Sequence, residues 1–240
     1  MHLMEAFSAL YAASGKEIHR RKLKEIIDLL INKILHPVYK TGVPQFYRDW
    51  KTAPQIKFDI VWGWDRFQDG ELKKSNPLDN TSYGHNVEFF WILLDAIRIL
   101  GEDPDQFSDL FAAILKHAVS KGVDYSYGGV FVEGSHDGTA VYDMTKEFWQ
   151  QAEFLIGMLS AYLLYREEIY LDVYENVHTF VMKYVINHNV GEWLPLLTRE
   201  GKPLWEHMSH SWKVNYHSVR SAVLAVDRLE RIIAIEKKVI

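Results

Sequence analysis

Apolar residues recur at helical spacing along most of the chain. Leu3, Ala6, Phe7, Leu10 and Tyr11 make one stripe, and after Gly15 a second runs through Ile18, Leu23, Ile26, Ile27, Leu30 and Ile34. Residues three and four apart share a helix face, so the two stripes predict two one-sided helices folded together across Gly15. A second pair is predicted from His85 to Leu100 and from Pro104 to about Val119, with Gly101-Glu102-Asp103-Pro104 supplying the stop, the turn and a first-turn proline. A third pair runs from about Lys146 to Tyr165 and from Ile169 to about Ile186, and a seventh helix from about His217 to Ile235. Antiparallel pairs joined by short turns are the unit from which all-α toroids are stacked.

The pairs are separated by Gln45 to Ser82, Tyr125 to Tyr142 and Gly191 to Asn215, all rich in Gly, Trp, Tyr and Asp. Short alternating runs inside them, Gly129-Val130-Phe131-Val132-Glu133 and Glu192-Trp193-Leu194-Pro195-Leu196, predict strands of small β-hairpins. Loops this long are uncommon in compact domains unless they form a functional rim. No linker or low-complexity stretch interrupts the pattern, so residues 1–240 are expected to form a single domain.

Composition removes several function classes. With 27 Lys+Arg against 32 Asp+Glu the net charge is −5, so no basic field awaits a phosphate backbone and nucleic acid is not an expected partner. Zero cysteines exclude disulfides, iron–sulfur clusters and thiolate nucleophiles. The longest apolar runs fall well short of the ~18–20 residues of a membrane span, and no basic and apolar leader pattern opens the chain. No membrane partner and a cytoplasmic location are expected. What remains is 14% aromatic residues and 11 His.

Three of those histidines stand at or near predicted helix starts: His2 in His2-Leu3-Met4-Glu5, His85 in Gly84-His85-Asn86-Val87-Glu88, and His217 after Trp212-Lys213-Val214-Asn215-Tyr216. A helix N-terminus disfavours imidazolium, so each is expected to be neutral and a candidate base. Glu88, three residues after His85, shares its face and can orient the ring or exchange protons itself; His2 and Glu5 repeat the spacing. A single such histidine is more often a capping or packing residue; three in matching settings are harder to dismiss. His-x-x-Glu with His207, His210 and His217 could supply metal ligands, but the spacing is not that of a His-Glu-x-x-His zinc helix, and no metal is expected. Asp65, Asp69 and Asp79 could act as glycosidase carboxylates, although acidic loop residues are usually only solvated. Trp149 and Trp212 set indoles beside polar groups, as a sugar-stacking wall would; Trp91, flanked by Phe89, Phe90 and Ile92, reads as core.

Six strings in order complete the picture: His2-Leu3-Met4-Glu5-Ala6-Phe7, Gly84-His85-Asn86-Val87-Glu88, Gly128-Gly129-Val130-Phe131, Lys146 to Glu153, Gly191-Glu192-Trp193, and Trp212 to Arg220. Together they resemble the cellobiose 2-epimerases within the N-acylglucosamine 2-epimerase superfamily, over essentially the whole chain. The resemblance implies an (α/α)6 barrel and an isomerase that opens the sugar ring, removes the C2 proton and returns it to the opposite face of a cis-enediolate. By motif position His85 and His217 would exchange that proton, and His2 and Glu88 would assist ring opening. Trp149, Glu153, Trp212, Tyr216 and Arg220 would bind the sugar, with no cofactor.

The implied substrate is the reducing-end aldose of a β-1,4-linked, cellobiose-like disaccharide. Alternatives are an N-acylglucosamine 2-epimerase or aldose–ketose isomerase of the same superfamily, a truncated form that binds carbohydrate without turnover, or a glycoside hydrolase relying on Asp. Phe148 stands where the family often has Trp, Val214-Asn215 replaces a Cys-Pro-like pair, and no counterpart appears of an arginine the family carries near its start. Seven helices in 240 residues are roughly 34 residues each, so twelve would need about 410. The expected fold is thus an incomplete toroid of about seven of twelve helices, the C-terminal part of a larger barrel, with apolar flanks on its end helices that self-association could cover.

Overall fold

The computed structural model describes residues 1–53, 80–205, 207–210 and 213–239. Asp65, Asp69, Asp79 and Trp212 lie outside the described residues. Among those described there are seven α-helices: α1 (His2–Ser14), α2 (Glu17–Leu29), α3 (Tyr83–Leu100), α4 (Ser108–His117), α5 (Phe148–Tyr165), α6 (Glu168–Phe180) and α7 (Tyr216–Val239). The predicted breaks hold. Gly15 ends α1 and Gly101 ends α3, both left-handed with φ of 62° and 69°, and Arg166 (φ 60°) does the same for α5 without a glycine. Pro104 opens a short 3₁₀ turn in front of α4, capped by the Asp103 carboxylate on the Asp105 N–H.

The helices form two layers. α5 packs against α3 and α7, and α3 against α1, giving an inner row of four; α2, α4 and α6 lie outside against α1, α3 and α5. Burial follows this arrangement. α3 and α5 are apolar on almost every side and buried along most of their length, whereas α4 buries only Phe111, Ile114 and Leu115, and α6 only Tyr170, Val173, Val177 and Phe180. Gly157 lets α3 and α5 approach closely, since a Cβ there would stand 2.1 Å from Val87 Cγ1. The row's two end helices keep apolar side chains in solvent: Leu3 and Leu10 on α1, and Val219, Val223, Val226 and Ile233 on α7.

All three outer helices end alike. Each widens into one π-helical turn, 30–34, 118–122 and 181–185, and the chain then folds back seven residues on: Leu35 bridges Gly42, Val123 bridges Val130, and Ile186 pairs with Trp193. The tip is the same each time. The N–H groups of Lys40, Gly128 and Gly191 donate to the carbonyls of His36, Asp124 and Asn187, and all three donors have positive φ.

Seven short strands complete the rim: β1 (Asn80–Ser82), β2 (Glu133–Ser135), β3 (Val141–Asp143), β4 (Lys146–Glu147), β5 (Ile186–Asn187), β6 (Glu192–Trp193) and β7 (Leu196–Leu197). β1, β2 and β3 form one antiparallel sheet; β4 pairs with β7 and β5 with β6. Two expectations need correction. Lys146 and Glu147 are strand residues rather than the first turn of α5, because their backbone pairs with Leu197 and Leu196. The run Gly129–Val132 is mainly the returning limb of a hairpin, and the ladder begins at Glu133.

Candidate active site

The inner helices aim their polar residues at one place. Glu5 comes from α1, Glu88 from α3, Glu153 from α5, and Tyr216, His217 and Arg220 from α7. Arg220 is the hub: one terminal nitrogen donates to Glu5 Oε1 at 2.8 Å, and the other to Glu88 Oε1 at 2.9 Å and Glu153 Oε1 at 2.6 Å. Its guanidinium also stacks over Trp91 and Tyr216 and bonds the Tyr216 hydroxyl. Burial opposes the charge on Arg220, but Glu153 and Glu88 outweigh it and raise its pKa.

Three carboxylates around one guanidinium leave an excess of negative charge, and their environments divide them. Glu88 is fully buried, and desolvation followed by repulsion from Glu153 pushes it up to about 7 against the pull of Arg220. Its Oε2 has no hydrogen-bond partner among the described residues. Burial would raise Glu5 as well, but bonds from His2, Tyr216 and Arg220 overcome it and hold Glu5 at about 2. Tyr216 donates to Glu5 at 2.5 Å, and burial with that bond raises its phenol.

The histidines differ too. His217 Nδ1 lies 2.7 Å from Glu153 Oε1, and Glu153 Oε2 accepts the Trp91 indole N–H at 2.9 Å. His85 is exposed, and its ring takes no hydrogen bond from the described residues; desolvation by the groups packed around its ring, then the neighbouring His2 and His217, shift its pKa below the ordinary histidine value. Both rings lean on Trp149, with centroid separations of 4.5 Å for His85 and 5.5 Å for His217. His2 sits 3.4 Å from Glu5 and edge-on to Tyr216. The hydrogen bond to Glu5 raises its pKa against the effect of burial, contrary to the expectation that a helix start favours the neutral ring at this histidine.

The structure therefore gathers His2, His85, Glu88, Trp149, Glu153, Tyr216, His217 and Arg220. His207 and His210 lie on the segment before α7, where His210 accepts the Lys213 N–H, and neither joins this group. Ligand atoms of Glu88, Glu153 and His217 lie within 4.8 Å of one another and could hold a cation, but the Arg220 guanidinium already bridges the two carboxylates. Sequence reasoning left Glu5 outside the site, although the His-x-x-Glu spacing signalled it. It also assigned Trp91 to the core alone; the ring is buried, yet its N–H holds Glu153.

Residues 1–221 match the family model described as N-acylglucosamine 2-epimerase. The chain belongs to the N-acylglucosamine 2-epimerase family. Among the family's curated members, the cellobiose 2-epimerase of Eubacterium cellulosolvens is 25% identical over 222 residues, 92% of this chain and 52% of that protein. The cellobiose 2-epimerase of Dictyoglomus turgidum is 23% identical over 233 residues, 95% of this chain and 52% of that protein. The solved cellobiose 2-epimerase of Spirochaeta thermophila superposes with a TM-score of 0.78 at 25% identity, over 97% of this chain and 52% of that one. The chain thus spans about half the length of the relatives it matches, and its two-layered helix row has the (α/α)6-barrel architecture of this family. No helix among the described residues is long and apolar enough to cross a membrane.

Proposed function

We propose that this chain carries the proton-transfer wall of a sugar 2-epimerase acting on the reducing-end aldose of a β-1,4-linked disaccharide. The observation that carries the reading is the pair His85 and His217, both resting on the Trp149 indole. Epimerisation at C2 needs one group to take a proton from a carbon beside an aldehyde and another to return it from the opposite face. His217, with Nδ1 engaged by Glu153, presents Nε2 as the base nitrogen. His85, exposed on the same indole 4.5 Å away, stands as the second proton carrier.

Ring opening needs a proton donor at the ring oxygen and an acceptor at the anomeric hydroxyl. Glu88, pushed up to about 7 with one oxygen unpartnered, can carry a proton at neutral pH, and His2 beside Glu5 can supply one from α1. Trp149 offers the face on which the sugar stacks. Glu153, Tyr216 and Arg220 hold that wall in place. The names of the curated relatives support cellobiose over other sugars.

The test is to incubate the chain with cellobiose in D₂O and follow C2 deuteration and the appearance of the mannose-ended disaccharide by NMR. Formation of a ketose instead would move the chain to the isomerase branch. Because the chain spans about half the length of its relatives, saccharide binding without turnover is the second reading, and it predicts a titratable complex with no exchange at C2.

A further inference from the structure

One buried carboxylate outside this constellation joins both of its walls. Glu147, on β4, is fully buried, and its Oε2 accepts two hydrogen bonds: from Trp149 Nε1–H at 2.9 Å and from Gln150 Nε2–H at 3.1 Å. Gln150 in turn accepts the backbone N–H of Gly84 at 2.8 Å through its Oε1. Gly84 immediately precedes His85 in the first turn of α3, and the packing is tight enough that a Cβ on Gly84 would stand 2.6 Å from Gln150 Cγ. A single oxygen atom thus ties the indole that both histidines lean on to the backbone that carries one of them.

We propose that Glu147 is a positioning residue: it sets the tilt of Trp149 against His85 and, through Gln150 and Gly84, the placement of His85 itself. The proposal deepens the epimerase reading, because the spacing between indole and imidazole decides how a sugar stacked on Trp149 presents its C2 to His85. Free indoles rotate about two side-chain torsions, and a buried N–H bonded to a carboxylate stops that rotation. The backbone of β4 is itself fixed by pairing with Leu196 and Leu197, so the carboxylate is held from the rim rather than from α5 alone.

The experiment uses NMR without any sugar. Trp149 Nε1–H is assigned by its loss in W149F and the His85 ring signals by their loss in H85N. In the native chain the Trp149 N–H should resist hydrogen exchange, and the His85 ring protons should be displaced by the ring current of the indole 4.5 Å away. In E147L the N–H should exchange about tenfold faster, as expected for one lost hydrogen bond, and the His85 ring signals should move toward ordinary histidine positions as the indole turns. E147Q, whose amide oxygen can still accept from the indole, should restore both. Unchanged protection and unmoved His85 ring signals in a folded E147L overturn the proposal. Should E147L not fold, Q150M decides: His85 moving while Trp149 stays protected supports the relay, and an unmoved His85 overturns it. Since none of these readings needs turnover, a chain that gives them and exchanges no C2 proton keeps the positioning role and loses the epimerase reading.

Discussion

His217 Nδ1 and Glu153 Oε1 lie 2.7 Å apart, and the same oxygen accepts from Arg220. A carboxylate that accepts from Nδ1 fixes the tautomer with its lone pair on Nε2 and stabilises the imidazolium once a proton arrives. H217A should therefore lower C2 proton exchange by roughly 10²–10⁴-fold with the fold retained. E153Q should lower it less: its amide oxygen can still accept from Nδ1, although its NH2 then faces the Trp91 N–H that Glu153 accepted. Deuterium uptake at C2 checks both, and H217A exchanging at the native rate would reassign the base.

Glu88 links pH to stability. Its pKa in the folded chain, about 7, stands above its ordinary value of 4.5, so between those values the folded state binds more protons than the unfolded one. Stability from this group is fully present below about 4.5 and declines as pH rises through 7. The loss is at most about 3 kcal/mol. Urea unfolding of the native chain and E88Q at pH 5 and pH 8 checks this: the variant should show the smaller difference between the two conditions.

Glu5 works in the opposite sense. Held at about 2, it contributes stability that is present above 4.5 and lost as pH falls toward 2. E5Q should flatten the acid limb of the unfolding curve and weaken the bond on the Tyr216 hydroxyl, seen as a changed tyrosine ultraviolet titration, while Arg220 keeps Glu88 and Glu153.

Gly157 is where α3 and α5 meet. G157A should cost roughly 1–3 kcal/mol by overpacking against Val87, and V87A in the same chain should recover part of it. Thermal unfolding of the two single variants and the double variant measures the coupling, and additive effects would show that the two residues do not meet.

Lys40 occupies a left-handed position that glycine fills at the two corresponding hairpin tips, Gly128 and Gly191. K40G should leave stability unchanged or raise it by up to about 1 kcal/mol, since relief of αL strain offsets the greater freedom of glycine in the unfolded chain. A fall of that size would mean that the Lys40 side chain stabilises the tip.

The helices were legible because their apolar period is a local property: Ile26, Ile27 and Leu30 mark one face of α2 and the π turn beyond it whatever they pack against. The site histidines and Glu88 were legible for a similar reason, their spacing at helix starts. Lys146 and Glu147 were misread because their strand pairing depends on Leu196 and Leu197, some fifty residues away. Trp91 entered the site only through its contact with Glu153, which no local pattern encodes, whereas the His-x-x-Glu spacing signalled Glu5 without showing that it meets Arg220. For His2 the spacing to Glu5 was legible, but not that the resulting hydrogen bond would raise the pKa of the ring.

The three matching exits from the outer helices bear on how such a chain comes together. Each helix pair and the hairpin that follows it close over short stretches of sequence, so the scaffold can assemble unit by unit from neighbouring segments. The Arg220 to Glu5 bond, by contrast, joins residues 215 positions apart at the two ends of the inner row. A row that lacked only α7 would already have most of its helices and hairpins and none of the Arg220 bonds to Glu5, Glu88 and Glu153. Chemical competence in this architecture therefore depends on one terminal helix, and a chain can be largely folded while still silent.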